Sequence, residues 1–134
     1  MEVVSITIPG PPTGKQRARS GKGHHYTPKK TVEYEKKVAT LATLAMKGTP
    51  PFIGPVKSYL VAYWPIPSSW PKTKKTMAVE GVRRPGKPDA DNIEKIIWDA
   101  CSGIIFVDDK QIVDWGGKKF YSENPRVEIT LTEI

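Results

Sequence analysis

Hydrophobic and polar positions alternate most cleanly at the end of the chain. In "RVEITLTEI", Val127, Ile129 and Leu131 take one side, and Glu128 and Thr130 the other. A period of two predicts a half-buried strand. The start repeats the pattern: Val4, Ile6 and Ile8 alternate with Ser5 and Thr7 up to the stop at Gly10-Pro11-Pro12. Two segments switch to helical spacing. Tyr34, Val38, Leu41, Ala42 and Ala45 predict a helix from about Val32, with Thr31 as its cap and Gly48 and Pro50-Pro51 as its stop. Ile93, Ile96, Ile97 and Ala100 predict a second, with Asp91 as N-cap, Glu94 three residues on completing a capping box, and Ser102-Gly103 as its end.

Between these lie "PVKSYLVAYW", rich in β-branched and aromatic residues and so a strand, and "IIFV", a short apolar run that predicts another. "QIVDW" predicts a further strand, with "GGKKFY" a turn or bulge after it. "TGKQRARSGKGHHYTPKK" has no periodicity and predicts a mobile surface loop. "PIPSSWPKTKK" is broken by prolines, and helix is expected only at Met77 to Val79. Four or five strands with two main helices predict an α+β fold, a two-layer α/β sandwich with a mixed sheet. No internal repeat or linker divides the 134 residues, so residues 1–134 are expected to form one domain.

Charge changes the picture. The net charge is +7, which suits a polyanionic partner, nucleic acid first. The bases are not spread evenly. Lys15 to Lys37 holds eight bases against two acids, and Lys72 to Lys87 six against one. From Pro88 to Asp114 the sign reverses, with seven acids against two bases. Lys15, Arg17 and Arg19 in the first block, and Lys72, Lys74 and Lys75 in the second, are the candidate phosphate contacts. Their alternative role is to solubilise a loop. His24-His25 reads as an exposed pair, with a metal site as the lesser alternative. Trp70 either stacks on a base or packs on a sheet edge. Trp64, Trp98 and Trp115 are expected in the core or a dimer interface.

The acids converge on one question. Asp89 and Asp91 lie at the mouth of the second helix, and Asp108 and Asp109 just after "IIFV". A helix of about eleven residues covers roughly 16 Å, and a four- or five-residue strand roughly 13 to 16 Å. The strand can therefore return the second acidic pair to the first. Converging carboxylates repel one another unless a cation intervenes. Oxygen donors without clustered Cys or His select Mg²⁺, with Mn²⁺ as substitute, over zinc. In a basic chain that combination points to phosphodiester hydrolysis. Asp91, Lys95 and Asp99 share one helix face at i, i+4 and i+8, so Lys95 stands beside the site and could hold the scissile phosphate. The alternative is that Asp91 only caps, Lys95 is a surface ion-pair partner, and Asp108-Asp109 is a solvated turn.

"KPDADNIEKIIWDACSGIIFVDDKQIVDW" resembles the core signature of the RusA family of Holliday-junction resolvases. The pattern is Asp-x-Asp-Asn, a lysine three residues after the Asn, Asp-Ala near the helix end, then Asp-Asp-x-Gln before an apolar strand. "IPGPPTGKQRAR", "YTPKKTVEYE", "PIPSSWPKTKK" and "KKFYSENPRVEI" look like further landmarks, so the similarity covers nearly the whole chain. The resemblance implies a small homodimeric, Mg²⁺-dependent endonuclease, bacterial or phage-encoded, that nicks four-way DNA junctions symmetrically. It implies Asp89, Asp91 and Asp109 as metal-binding carboxylates, Asp108 as an adjacent acid that supports or ligates, and Lys95 as the essential lysine. Asn92 and Asp99 match too, in structural roles or in support of the residues that act. Lys110 departs from the pattern, since relatives more often have a small residue there. Nucleases for other branched DNA, or a non-catalytic nucleic-acid-binding module, are the alternative functions.

A single cysteine, Cys101, excludes an internal disulfide and suits a reducing, cytoplasmic setting; it reads as a buried small hydrophobe. The start has no positive n-region, and no run approaches 18 apolar residues, so neither signal peptide nor membrane span is expected. No small-molecule substrate is expected.

Overall fold

The computed structural model describes residues 2–15, 19–21, 24–26 and 28–134, with backbone alone at 19–21 and 24–26. Ten elements follow in chain order: β1 (Val3–Pro9), β2 (Arg19–Gly21), β3 (His24–Tyr26), α1 (Lys29–Met46), β4 (Val56–Pro65), α2 (Lys72–Val79), α3 (Ala90–Cys101), a 3-10 turn (Asp109–Gln111), β5 (Ile112–Ser122) and β6 (Arg126–Glu133). The main sheet has the order β1-β6-β4-β5. Its β4–β5 pair is parallel and the others antiparallel. Parallel neighbours need a crossover connection. Here α2, α3 and the 3-10 turn form it, which is how the acidic segment comes to lie against the sheet.

The mixed sheet and the α+β class match the expectation, with three helices rather than two. The strongest patterns carry through. Val127, Ile129 and Leu131 are buried on one side of β6, and Ile93, Ile96, Ile97 and Ala100 form the buried stripe of α3. They meet Tyr34, Val38, Ala42 and Met46 of α1, with Cys101 in the same core. Each such fully buried aliphatic side chain contributes about 1.5–3 kcal/mol. Among the described residues, no helix is long and apolar enough to cross a membrane.

Five local expectations need correction. Ile104 to Val107 is not a strand. Its amides turn back on the end of α3, with the Ile104 and Ile105 N–H groups both 3.0 Å from the Cys101 carbonyl oxygen. Its apolar character has another cause: Ile105 and Phe106 are fully buried as a plug, bridged to Phe52. A short apolar run cannot be told from other buried segments by periodicity alone. Residues 116–121 are not a turn. β5 runs straight through Gly116-Gly117 against β4, and its register shift falls at its start, opposite Val56 and Lys57. A Cβ at Gly117 would collide with the carbonyl oxygen of Leu60, so the glycine permits close strand approach. α2 starts directly after Pro71, five residues before the expected helix at Met77. α1 starts at Lys29 after Pro28, which puts Thr31 inside the first turn as a buried residue, not at the cap. The basic loop contains the β2–β3 hairpin, with His24 and His25 on β3.

Candidate active site

The site is built on the exposed side of α3, opposite its apolar stripe. Asp89, not Asp91, occupies the N-cap position, and its backbone carbonyl accepts from the N–H groups of Asn92 (3.1 Å) and Ile93 (3.3 Å). Its side chain makes no cap hydrogen bond among the described residues. Asp91 sits in the first turn. The Asp91–Glu94 capping box is therefore not formed. Both carboxylates are exposed and lie at the helix end whose dipole favours anions. Burial, then the charge of Asp91, raises the Glu94 carboxyl above its usual range.

The second acidic pair divides its labour. The Asp108 carboxylate accepts from the Lys110 N–H at 2.9 Å, while the Gln111 amide oxygen accepts from the N–H groups of Val107 and Asp108, each at 2.9 Å. This is a reciprocal capping box, found where no helix was expected. The Gln111 amide nitrogen donates to the carbonyls of Phe52 (2.8 Å) and Gly54 (3.0 Å), tying the turn to the start of β4. The backbone hydrogen bond from Lys110 leads in holding the Asp108 carboxyl below its usual range. Asp109 is thereby left to face α3.

There it meets Lys95. The Lys95 ammonium lies 3.2 Å from Asp109 Oδ2 and 3.1 Å from Asp99 Oδ1. Hydrogen bonds to Asp99, then Asp109, raise its pKa. Asp99 Oδ2 in turn lies 3.2 Å from the Lys15 ammonium, which also pairs with Glu35 of α1. Burial opposes the charge of Lys15, and Glu35 and Asp99 outweigh it, so its pKa is raised. In the sequence Lys15 reads as a phosphate contact or as part of a solubilising loop. The structure places it in a chain of five alternating charges: Glu35, Lys15, Asp99, Lys95, Asp109. Glu35 was missed, and no local signal marks it, because its partner lies twenty residues away. Gln111 was seen only as part of a motif, although the Asp-x-x-Gln spacing of a capping box was there to be read.

The carboxylate donors suit a hard divalent cation. Among the described residues, however, no three His, Cys, Asp or Glu side chains are gathered closely enough to hold one. Asp109 is brought to Lys95, one turn into α3 from Asp91.

The remaining candidates are distributed as follows. Lys72, Lys74 and Lys75 lie on α2, not in a loop. Lys74 and Arg83 sit over the Trp70 ring at 4.1 and 5.2 Å, and Trp70 packs edge-on against Tyr121 at 5.1 Å. That is the sheet-edge alternative for Trp70. Arg17 lies outside the described residues, and Arg19 is described only by its backbone in β2. Trp64 packs against the core, and Trp98 donates from its indole N–H to Ser58 Oγ at 3.0 Å. Trp115 is 59% exposed, so it is not a core residue. It borders a cleft of about 450 Å³ that includes Ile93, Glu94, Arg84 and Lys119.

"Uncharacterized protein YqaN" of Bacillus subtilis (strain 168) is 38% identical over 141 residues, covering 100% of this chain and 99% of its own. The model of the family "Endodeoxyribonuclease RusA" matches residues 9–132, which include Lys15, both acidic pairs and Lys95. The chain belongs to the RusA endodeoxyribonuclease family.

Proposed function

We propose that residues 1–134 form one endonuclease domain that resolves four-way DNA junctions by metal-dependent phosphodiester hydrolysis, in recombination and repair. One observation carries the reading beyond the family: the Lys95 ammonium stands between Asp99 and Asp109 on the exposed face of α3. An ammonium in that place is a point charge for a phosphate oxygen, next to acids that capping does not consume.

By the resemblance, Asp89, Asp91 and Asp109 are the residues for Mg²⁺ or Mn²⁺, with Asp108 supporting through the turn; to hold the ion they would have to draw closer together, since among the described residues no three acids are gathered closely enough. A bound divalent cation supplies Lewis-acid polarisation of the phosphate and lowers the pKa of water. Lys95 holds a non-bridging oxygen of the scissile phosphate or steadies the departing oxygen. Lys72, Lys74 and Lys75, with Arg17 and Arg19, contact flanking phosphates, which gives affinity that falls with salt and reads shape rather than base sequence. Symmetric nicking needs two sites, so the working form is a C2 homodimer, in the cytoplasm of a bacterium or of a phage-infected cell.

The test is a labelled four-way junction beside matched duplex and flap DNA, with Mg²⁺, Mn²⁺ or EDTA. Paired nicks in the junction alone, abolished by EDTA, are expected. Equal cutting of flaps broadens the substrate class, and binding without cutting under every metal overturns the enzyme reading. Asp91→Asn is expected to cut about 10²- to 10³-fold more slowly while still binding the junction, because it removes a carboxylate charge and leaves the basic surface intact.

A further inference from the structure

The five-charge chain links segments far apart in sequence, and its middle member serves two lysines at once. Asp99 gives Oδ1 to Lys95 and Oδ2 to Lys15. Lys15 is fixed independently of that pair: its backbone N–H donates to the Asn92 carbonyl at 2.9 Å. Gly14 brings it there, since a Cβ at Gly14 would lie 3.0 Å from the Pro88 side chain. Glu35 then ties the Lys15 ammonium to α1. Lys15, Glu35 and Asp99 side chains are only 27–29% exposed, whereas Lys95 is 53% exposed. The chain is thus anchored at its inner end and open at Lys95.

At the exposed Lys95 end an ion pair contributes little stability, so placement is the better account of that end of the chain. A free lysine has four rotatable bonds and no preferred end point. Asp99 gives it one. Lys15 grips the other oxygen of Asp99, so the carboxylate that holds Lys95 is itself held in place.

We propose that Asp99 and Lys15 are positioning residues for Lys95, Asp99 setting where its ammonium stands and Lys15 fixing the Asp99 carboxylate. This rests on the nuclease reading above for its kinetic consequence. Asp99→Asn is expected to lower kcat on the junction about 10- to 100-fold, the scale of a misplacement near 1 Å, with KM little changed. Lys15→Met is expected to act in the same direction and less strongly, and Asp99→Glu and Lys15→Arg to recover part of the loss. In a Lys95→Met background, Asp99→Asn should cost nothing more, since residues that act as a unit are non-additive. The same fold loss in that background overturns the proposal, as does unimpaired cutting by Lys95→Met alone, which leaves nothing to position. A second measurement needs neither DNA nor metal. In ¹⁵N spectra of lysine ammonium groups, the Lys95 signal, identified by its loss in Lys95→Met, should move in both Asp99→Asn and Lys15→Met. A signal unmoved by Lys15→Met overturns the shared clamp. If the wild-type protein cuts no branched DNA, the nuclease reading fails, while these spectra still decide the clamp.

Discussion

The two acidic pairs look alike in sequence and are used differently. Asp89 and Asp91 open α3, the position where a carboxylate ordinarily caps, yet the helix takes only the backbone carbonyl of Asp89. Asp108 and Asp109 follow a turn, where solvated acids are ordinary, yet Asp108 is a true cap and Asp109 reaches Lys95. The difference teaches that an acid is free for chemistry when its neighbours leave it no backbone amide to satisfy. Asp108 has the Lys110 N–H to accept; Asp109, one residue later, does not have that role.

The sharpest way to break this contrast is to neutralise the members of the second pair separately. Asp109→Asn is expected to slow junction cutting about 10²- to 10³-fold, the usual cost of removing one group that acts on transition-state charge. Asp108→Asn keeps an acceptor oxygen for Lys110 and is expected to cut within a few-fold of wild type. Equal losses from the two, in single-turnover assays at saturating enzyme, would dissolve the distinction.

The next effect is on stability. Gln111 holds the turn with four hydrogen bonds, two received and two donated. Gln111→Ala leaves the Phe52 and Gly54 carbonyls without that donor, at about 1–3 kcal/mol for buried groups. Urea unfolding is expected to show a loss in that range, together with slower cutting because Asp109 is carried on the same turn. A loss of cutting with an unchanged urea midpoint would instead place Gln111 at the substrate.

This division also explains what could be read from the chain. β6 and the stripe of α3 were legible because one face of each is buried and the period survives: Val127, Ile129, Leu131 and Ile93, Ile96, Ile97. The charged face of α3 was legible as a spacing, and Lys95 with Asp99 is that spacing realised. What failed was set by distant partners. Ile105 and Phe106 are apolar because they plug a gap beside Phe52, not because they extend. Gly117 is a strand residue because of Leu60 on β4. The pairing of Lys15 with Glu35 and Asp99 could not be read from its own segment. None of these partners lies within a helical or strand period of the residue it decides.

The smallest expected effect tests the cap itself through pH. The Asp108 carboxyl is held below its ordinary value of 3.8, first by the Lys110 backbone N–H, with Asp109, Lys110 and Lys95 adding to it. A carboxyl depressed in the folded state binds protons more readily when unfolded, so its stabilising contribution is full above 3.8 and is lost as pH falls through the lower folded value. Asp108→Asn cannot titrate. The urea midpoint of wild type should therefore exceed that of Asp108→Asn near neutrality, and the gap should close as pH falls below 3.8. Every other carboxylate titrates in both proteins, so the difference isolates this one. A gap that stays constant with pH would mean that the ionised form is not what caps the turn, and would return Asp108 to the same footing as Asp109.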